Sequence, residues 1–316
     1  MNIELIKNRS DIGAGTRGSD LGVDAMEIAA INAGNDYFHR HPYVDVETHN
    51  ETIYQKTTFT FAKRIEHVYD QCARVCKAVK QSLVNGSFPI VLSGDHSSAL
   101  GTISGIKAAF PDKTLGVIWL DAHADIHSPY TSPSGNIHGM PLAAVLGLDN
   151  LENRINHTEE GTVTYWNSMK DLGVTGTKCD PNHLVYFGLR DFEEEEMRTI
   201  QRLNIPVYRV EEVRYRGIAT CVQECLEELN ACDMIYISFD VDSMDCDSIS
   251  YGTGTPVPTG FQPNEISGII EAFWDSGKVV CMEWTEINPL LDNKGNLMAE
   301  TAFALLDKIS EKISMA

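Results

Sequence analysis

The run Leu115 to Leu120, Leu-Gly-Val-Ile-Trp-Leu, carries no polar side chain and breaks abruptly into Asp121-Ala122-His123-Ala124-Asp125. A short apolar run of this kind reads as a strand buried on both faces, and such strands belong to parallel sheets covered by helices. In extended backbone, side chains alternate between faces, so Asp121, His123 and Asp125 are expected on one side of the chain. Three oxygen and nitrogen donors then gather at the carboxyl end of a strand, where open α/β sheets place their active sites.

The same strand pattern recurs at Ile3 to Ile6, Tyr43 to Val46, Pro89 to Leu92, Val185 to Leu189, Val207 to Val210, Met234 to Phe239 and Lys278 to Trp284. Helical periodicity fills the intervals. Between Thr60 and Val84, apolar side chains recur at three- and four-residue steps (Ile65, Val68, Tyr69, Cys72, Val75, Cys76, Val79, Leu83) before Asn85-Gly86 closes the segment. Further helices are expected over about Leu21 to Ala33, Ser98 to Phe110, Gly139 to Leu146, Asp191 to Ile200, Ile218 to Leu229, Pro263 to Trp274 and Leu297 to Ile313. This alternation predicts a three-layer α/β/α fold with a mostly parallel, roughly eight-stranded sheet, as a single domain over residues 1–316. Two stretches stand apart. The glycine-rich Asp11 to Gly18 lacks both the G-x-G-x-x-G and the Walker A pattern and reads as a loop at the sheet's edge, beside the site. The stretch from about Leu148 to Pro181 is polar and irregular, and reads in part as a surface excursion.

The 45 acidic residues against 25 basic ones give a formal charge of −20, which argues against nucleic acid and anionic membranes as partners. A small cationic substrate is compatible with it, although solubility alone accounts for such a surplus. None of the eight cysteines forms a C-x-x-C pair, and Cys72/Cys76 and Cys221/Cys225 sit at helical i, i+4 spacing, so buried thiols are expected rather than a zinc or redox motif. The start of the chain shows no signal-peptide core and no apolar run reaches membrane-span length, so the cytoplasm is the expected location.

Two more strand ends carry the same chemistry: His96 follows Pro89 to Leu92, and Asp240 and Asp242 follow Met234 to Phe239. One Asp-x-Asp at a strand end would be a loop cap or a solvated charge. Four carboxylates and two imidazoles on three strand ends of one sheet repel one another unless cations balance them. Mixed oxygen and nitrogen ligation without thiolate favours manganese over zinc, cobalt or iron. Two such ions can share a water and make it hydroxide near neutral pH.

Ser93-Gly-Asp-His96, Asp121-Ala-His-Ala-Asp125, Ser134-Gly-Asn-Ile-His-Gly139, Ser238-Phe-Asp-Val-Asp242, Gly254-Thr-Pro256 and Glu286-Ile-Asn-Pro289 follow one another in the order seen in the ureohydrolase family. The chain resembles the arginase branch in particular, over nearly its whole length. The resemblance implies a binuclear manganese hydrolase with an arginase-like fold. One ion would be held by His96, Asp121, Asp125 and Asp240, the other by Asp121, His123, Asp240 and Asp242, with Asp121 and Asp240 bridging. A metal-bridging hydroxide would attack the guanidinium carbon of L-arginine, and the products would be L-ornithine and urea. Asp125 would accept a hydrogen bond from that hydroxide, Glu286 would meet the guanidinium, and His138 would shuttle the proton to the leaving amine. A homo-oligomer, trimeric or hexameric, is also implied.

Ser132, Ser134 and Asn136 match positions that read the α-carboxylate, which favours arginine over decarboxylated agmatine. Asp191, Glu193, Glu196 and Thr255 complete the implied substrate contacts. Two departures bear on substrate choice: His127 replaces an asparagine that contacts the carboxylate, and Glu193 stands where an amino-binding aspartate is expected. The alternatives are another ureohydrolase, acting on agmatine or a guanidino acid, and a metal-dependent deacetylase of related fold.

Overall fold

A computed structural model describes residues 1–315; the final residue of the expected domain, Ala316, lies outside the described residues. Eight strands form one sheet: β1 (Ile3–Asn8), β2 (Tyr43–Asp45), β3 (Phe88–Ser93), β4 (Leu115–Leu120), β5 (Leu184–Phe187), β6 (Val207–Tyr208), β7 (Met234–Asp240) and β8 (Val279–Thr285). Their order is β2-β1-β3-β8-β7-β4-β5-β6, and every neighbouring pair runs parallel.

Alternation along the strands divides the core in two. Ile118, Leu120, Ile237, Phe239, Met282 and Trp284 face one way, towards the helices Gly22–Asn32, Pro263–Trp274 and Leu297–Ser314. Val117, Trp119, Tyr236 and Cys281 face the other way, towards Ile65–Val84 and Ser98–Ala109. Each layer buries the apolar stripe of its helices against one pleat face, which is the three-layer arrangement expected. All eight cysteines are free and buried, seven of them in these layers and Cys246 in the loop after β7. Among the described residues no helix is long and apolar enough to cross a membrane.

Three local expectations are corrected. The helix expected from Thr60 begins at Ile65, because Arg64 adopts a left-handed φ of 56° and turns the preceding residues aside. The strand at Val207 is short and gives way to a helix, Val210–Arg216. The stretch before Pro181 is less irregular than expected. It contains the helix Glu160–Lys170, whose buried Thr162, Trp166 and Met169 stand at helical spacing. Trp166 donates to Asp149 Oδ1 at 2.9 Å, and buried Asn156 donates to Pro129 O at 3.1 Å and Ser132 O at 2.6 Å. The segment thereby props the loop that leaves β4.

The glycine-rich loop follows β1, which lies one strand in from the edge; β2 is the edge strand. At the middle of the sheet, β3, β8, β7 and β4 are neighbours. Their carboxyl ends deliver the segments beginning at Gly94, Glu286, Val241 and Asp121 to one place.

Candidate active site

The site's backbone is set by two aspartates that bond to their own chain. Asp121, the first residue past β4, accepts the His123 N–H through Oδ1 at 2.7 Å. Asp240, the last residue of β7, accepts the Asp242 N–H in the same way at 2.8 Å. Short aspartate side chains favour such turns over continued strand. This corrects the expectation that Asp121, His123 and Asp125 share a strand face. The strand has ended at Leu120, and Asp125 takes a left-handed φ of 50°. The ligand atoms converge because the chain turns, not because it pleats.

Two groups result. One ligand atom each from His96, Asp121 and Asp240 lie within 4.8 Å of one another, and so do atoms from Asp121, His123 and Asp242. His96 Nδ1 stands 3.0 Å from both Asp121 Oδ2 and Asp125 Oδ2, and 3.2 Å from Asp240 Oδ2. His123 Nδ1 stands 2.9 Å from Asp242 Oδ2 and 3.5 Å from Asp121 Oδ1. Asp121 belongs to both groups.

The electrostatics call for cations. Burial, with Asp242 and Asp121 close by, pushes the Asp240 carboxyl well above its ordinary range. Burial, and then Asp121, raises Asp125 to about 6. Burial opposes a charge on His96, but the carboxylates of Asp121, Asp125 and Asp240 outweigh it and hold its pKa well above the ordinary value. Left to themselves these groups must take up protons to coexist. His96 Nδ1 and Asp121 Oδ2 are buried and have no hydrogen-bond partner of adequate geometry. Orphaned donor atoms of this kind, nitrogen and oxygen with no thiolate, fit divalent metal ions. The other His96 nitrogen, Nε2, is engaged by Ser238 Oγ at 2.7 Å, and the ring stacks on Trp119 with centroids 4.1 Å apart. That leaves Nδ1 as the free ligand atom.

Above these groups is a cavity of about 240 Å³. Its wall carries Glu286 and His138. Glu286 follows β8 directly and is held at a φ of 65°; its Oε1 accepts the His96 N–H at 3.0 Å and meets His138 Nδ1 at 3.0 Å. Burial disfavours the charged form of each, but the pairing prevails: His138 rises to about 9 and Glu286 falls below its ordinary value. Left-handed backbone at two non-glycine residues of one site, Asp125 and Glu286, is strain of about 1–2 kcal/mol each, sustained by the surrounding packing.

Ser132, Ser134 and Asn136 line the cavity together with Thr255, which donates to Asp242 Oδ2 at 3.3 Å. His127, Glu193 and Glu196 line its outer side. His127 Nε2 lies 3.2 Å from Glu193 Oε2 and 3.6 Å from Glu196 Oε2. The His127 contact lowers Glu193 to about 2, while burial drives Glu196 well up. Glu196 also caps its own helix, accepting the Glu193 N–H at 3.1 Å. His96 and Asp121 sit below the cavity lining. Asp191 is the expected substrate contact that the fold does not bring there: its largely exposed side chain lies 3.6 Å from His123 Nε2, outside the lining.

Three contributors were not singled out from sequence. Arg190 donates to the carbonyls of Asp242 and Val257, both at 2.7 Å, and so fixes the loop after β7. Asn156 holds the loop bearing Ser132. Lys63 donates to Asn136 Oδ1 at 3.2 Å. Arg190 stands at a strand end, which was a usable signal; Asn156 and Lys63 had none.

The chain as a whole is similar to proteins of known family. The model of the Arginase family matches residues 2–310. The arginase of Bacillus subtilis (strain 168) is 31% identical over 312 residues, covering 98% of both chains. The solved structure of arginase from Bacillus caldovelox aligns with a TM-score of 0.82 at 32% identity, over 96% of each chain. Entamoeba histolytica arginase, solved in complex with L-ornithine, aligns with a TM-score of 0.80 at 26% identity, again over 96% of each chain.

Proposed function

The chain belongs to the arginase family, and on that premise we propose that this hydrolase cleaves the guanidinium group of L-arginine to give L-ornithine and urea, with two Mn²⁺ ions in its site. The observation that carries the reading is Asp121, shared by two ligand groups beneath a cavity walled by Glu286 and His138. His96, Asp121, Asp125 and Asp240 would hold one ion, and Asp121, His123, Asp240 and Asp242 the other. When bound, such a pair supplies Lewis acidity and lowers the pKa of a held water towards neutrality.

The protein's own residues do the rest. Glu286 uses Oε1 for His96 N and His138, and among the described residues no donor is bonded to Oε2, which is free to accept guanidinium N–H groups. Asp125 accepts a hydrogen bond from the attacking water. His138, kept protonated by its pairing with Glu286, gives a proton to the departing amine as the C–N bond breaks. Ser132, Ser134 and Asn136 receive the α-carboxylate; His127, Glu193, Glu196 and Thr255 face the amino end, with Asp191 acting behind His123. The ornithine held by the Entamoeba histolytica arginase supports an amino-acid product of this shape. A single catalytic domain over residues 1–316, a trimeric or hexameric homo-oligomer and a cytoplasmic location form part of the same proposal.

One observation favours a second reading, a guanidino-acid hydrolase: His127 already engages Glu193, the carboxylate an α-ammonium would need. Urea release from manganese-loaded protein given L-arginine, agmatine or 4-guanidinobutanoate separates the cases. L-Arginine is expected to be turned over fastest, and a clear preference for either other substrate would overturn the assignment.

A further inference from the structure

Apart from Asp125, Asp240 and Asp242, whose charge the proposed metal ions would balance, the cavity is lined by Glu193, Glu196 and Glu286, and among the described residues no lysine or arginine lines it. These remaining carboxylates welcome a guanidinium and oppose a carboxylate. The rim nevertheless presents three groups whose acceptor side the protein already occupies. Gly135 N donates to Ser132 Oγ at 2.9 Å, Asn136 N donates to Ser134 Oγ at 3.2 Å, and Lys63 Nζ donates to Asn136 Oδ1 at 3.2 Å. Each hydroxyl keeps its own proton to offer, and the amide is left with Nδ2.

The amide's orientation depends on Lys63. Reversed, it would turn its NH₂ towards an ammonium. On its other side Gly15 closes in so far that an added Cβ would come within 2.5 Å of Asn136 Nδ2. Lys63 is also tied to this corner through its main chain, donating to Gly135 O at 2.8 Å. Among the described residues no carboxylate pairs with its ammonium, so its charge is not neutralised locally and acts on the rim.

We propose that Lys63 is the residue that makes this pocket select a guanidino substrate bearing a carboxylate over its decarboxylated counterpart, by holding Asn136 as a donor and by setting one positive charge behind the rim. The inference rests on the arginine-hydrolase reading and refines its substrate class. Lys63 is a positioning residue, since it acts through Asn136.

The test uses manganese-loaded full-length protein and the variants Lys63→Met and Lys63→Arg. The ratio of kcat/KM for L-arginine to that for agmatine is expected to fall about tenfold or more in Lys63→Met, mainly through KM for L-arginine, and to recover largely in Lys63→Arg. Equal losses on both substrates would mean a merely structural role and overturn the proposal, as would an unchanged ratio. Calorimetric binding of L-ornithine against putrescine reads the same preference without turnover. Absence of urea from every guanidino substrate would therefore overturn the hydrolase reading, whereas an ornithine preference unchanged in Lys63→Met would overturn the role of Lys63.

Discussion

Replacing Glu283 with glutamine tests how His96, the histidine proposed to hold metal, is supported from below. Glu283 is fully buried on β8, on the sheet face beneath the site. Its Oε1 accepts from Ser93 Oγ at 2.7 Å and also from Ser98 Oγ, and its Oε2 accepts from Tyr236 OH at 2.7 Å. Tyr236 and Ser238 stand two residues apart on the same face of β7, and Ser238 Oγ meets His96 Nε2 at 2.7 Å. A carboxylate accepts at both oxygens, whereas Glu283→Gln sets a donor against one of these hydroxyls. One charge-assisted bond worth about 1.5–3 kcal/mol is lost and two others weaken towards about 1 kcal/mol each. Burying a neutral amide in place of a carboxylate returns part of this through lower desolvation. The net expectation is a loss of about 2 kcal/mol in metal-depleted protein. Loosening of the His96 ring should also weaken metal binding about tenfold, the usual scale for a partner behind a ligating histidine. At saturating metal that removes about another 1.4 kcal/mol by mass action. Urea denaturation of parent and Glu283→Gln, each with and without Mn²⁺, measures both terms. A loss below about 0.5 kcal/mol, or the same loss with and without metal, would refute the chain from Glu283 to His96.

Three other outcomes are expected. Asp240→Ala should abolish retention of metal through dialysis, read by elemental analysis, together with urea release, while circular dichroism shows the fold retained. Gly135→Ala should raise KM for L-arginine about tenfold or more and lower stability by at least about 1–2 kcal/mol in a thermal melt, because φ is 73° there and the new Cβ would stand 2.2 Å from Thr60 O, a main-chain atom that cannot swing aside. Lys178 is buried with only carbonyl partners, and burial lowers its pKa from 10.5 to about 8, so below pH 8 the folded state carries a charge that the unfolded state carries more easily. Its contribution therefore grows more favourable between pH 8 and 10.5, and the stability of the parent relative to Lys178→Met should rise by up to about 3 kcal/mol across that window in denaturation at pH 7 and pH 10.5; a flat difference would show that the lysine titrates normally.

The sheet was legible wherever burial was complete. β4 and β7 could be read to within a residue because strands covered on both faces are largely apolar, β7 departing from this at Ser238 and at its terminal Asp240. Pro263–Trp274 was legible to its ends because proline at its first position and a glutamine–glutamate capping box mark its start. Glu160–Lys170 was missed because only three of its residues are buried and most of the rest are polar. The six expected ligands do meet, although the reason given for Asp121, His123 and Asp125 was wrong. Residue type and order carried that expectation, while the aspartate turns that achieve it depend on side-chain bonds that periodicity cannot show. Lys63, Asn156 and Glu283 were invisible for another reason. Each acts on a residue remote in the chain, as Lys63 does on Asn136, 73 positions away, and nothing in the local pattern around a lone lysine tells which amide it will reach.

The strand order also has a consequence for how the molecule comes into being. Strands β2, β1 and β3 form one partial sheet and β7, β4, β5 and β6 another, and β8 is the strand that joins them. It is made last, and it carries Glu286 to His96 across 190 residues of chain. Until β8 inserts, both partial sheets present an open edge, and the histidine of one lies apart from the aspartates of the other. A growing chain therefore passes through a stage in which almost every residue of the site has been synthesised, yet only the group at the ends of β4 and β7 (Asp121, His123 and Asp242) can assemble, with His96 apart from it. Closure of so distant a pairing is slow on general grounds, and the exposed edges are where association with other chains would compete. On the two-metal proposal, binding at the group that includes His96 should accordingly report the last event of assembly rather than an early one.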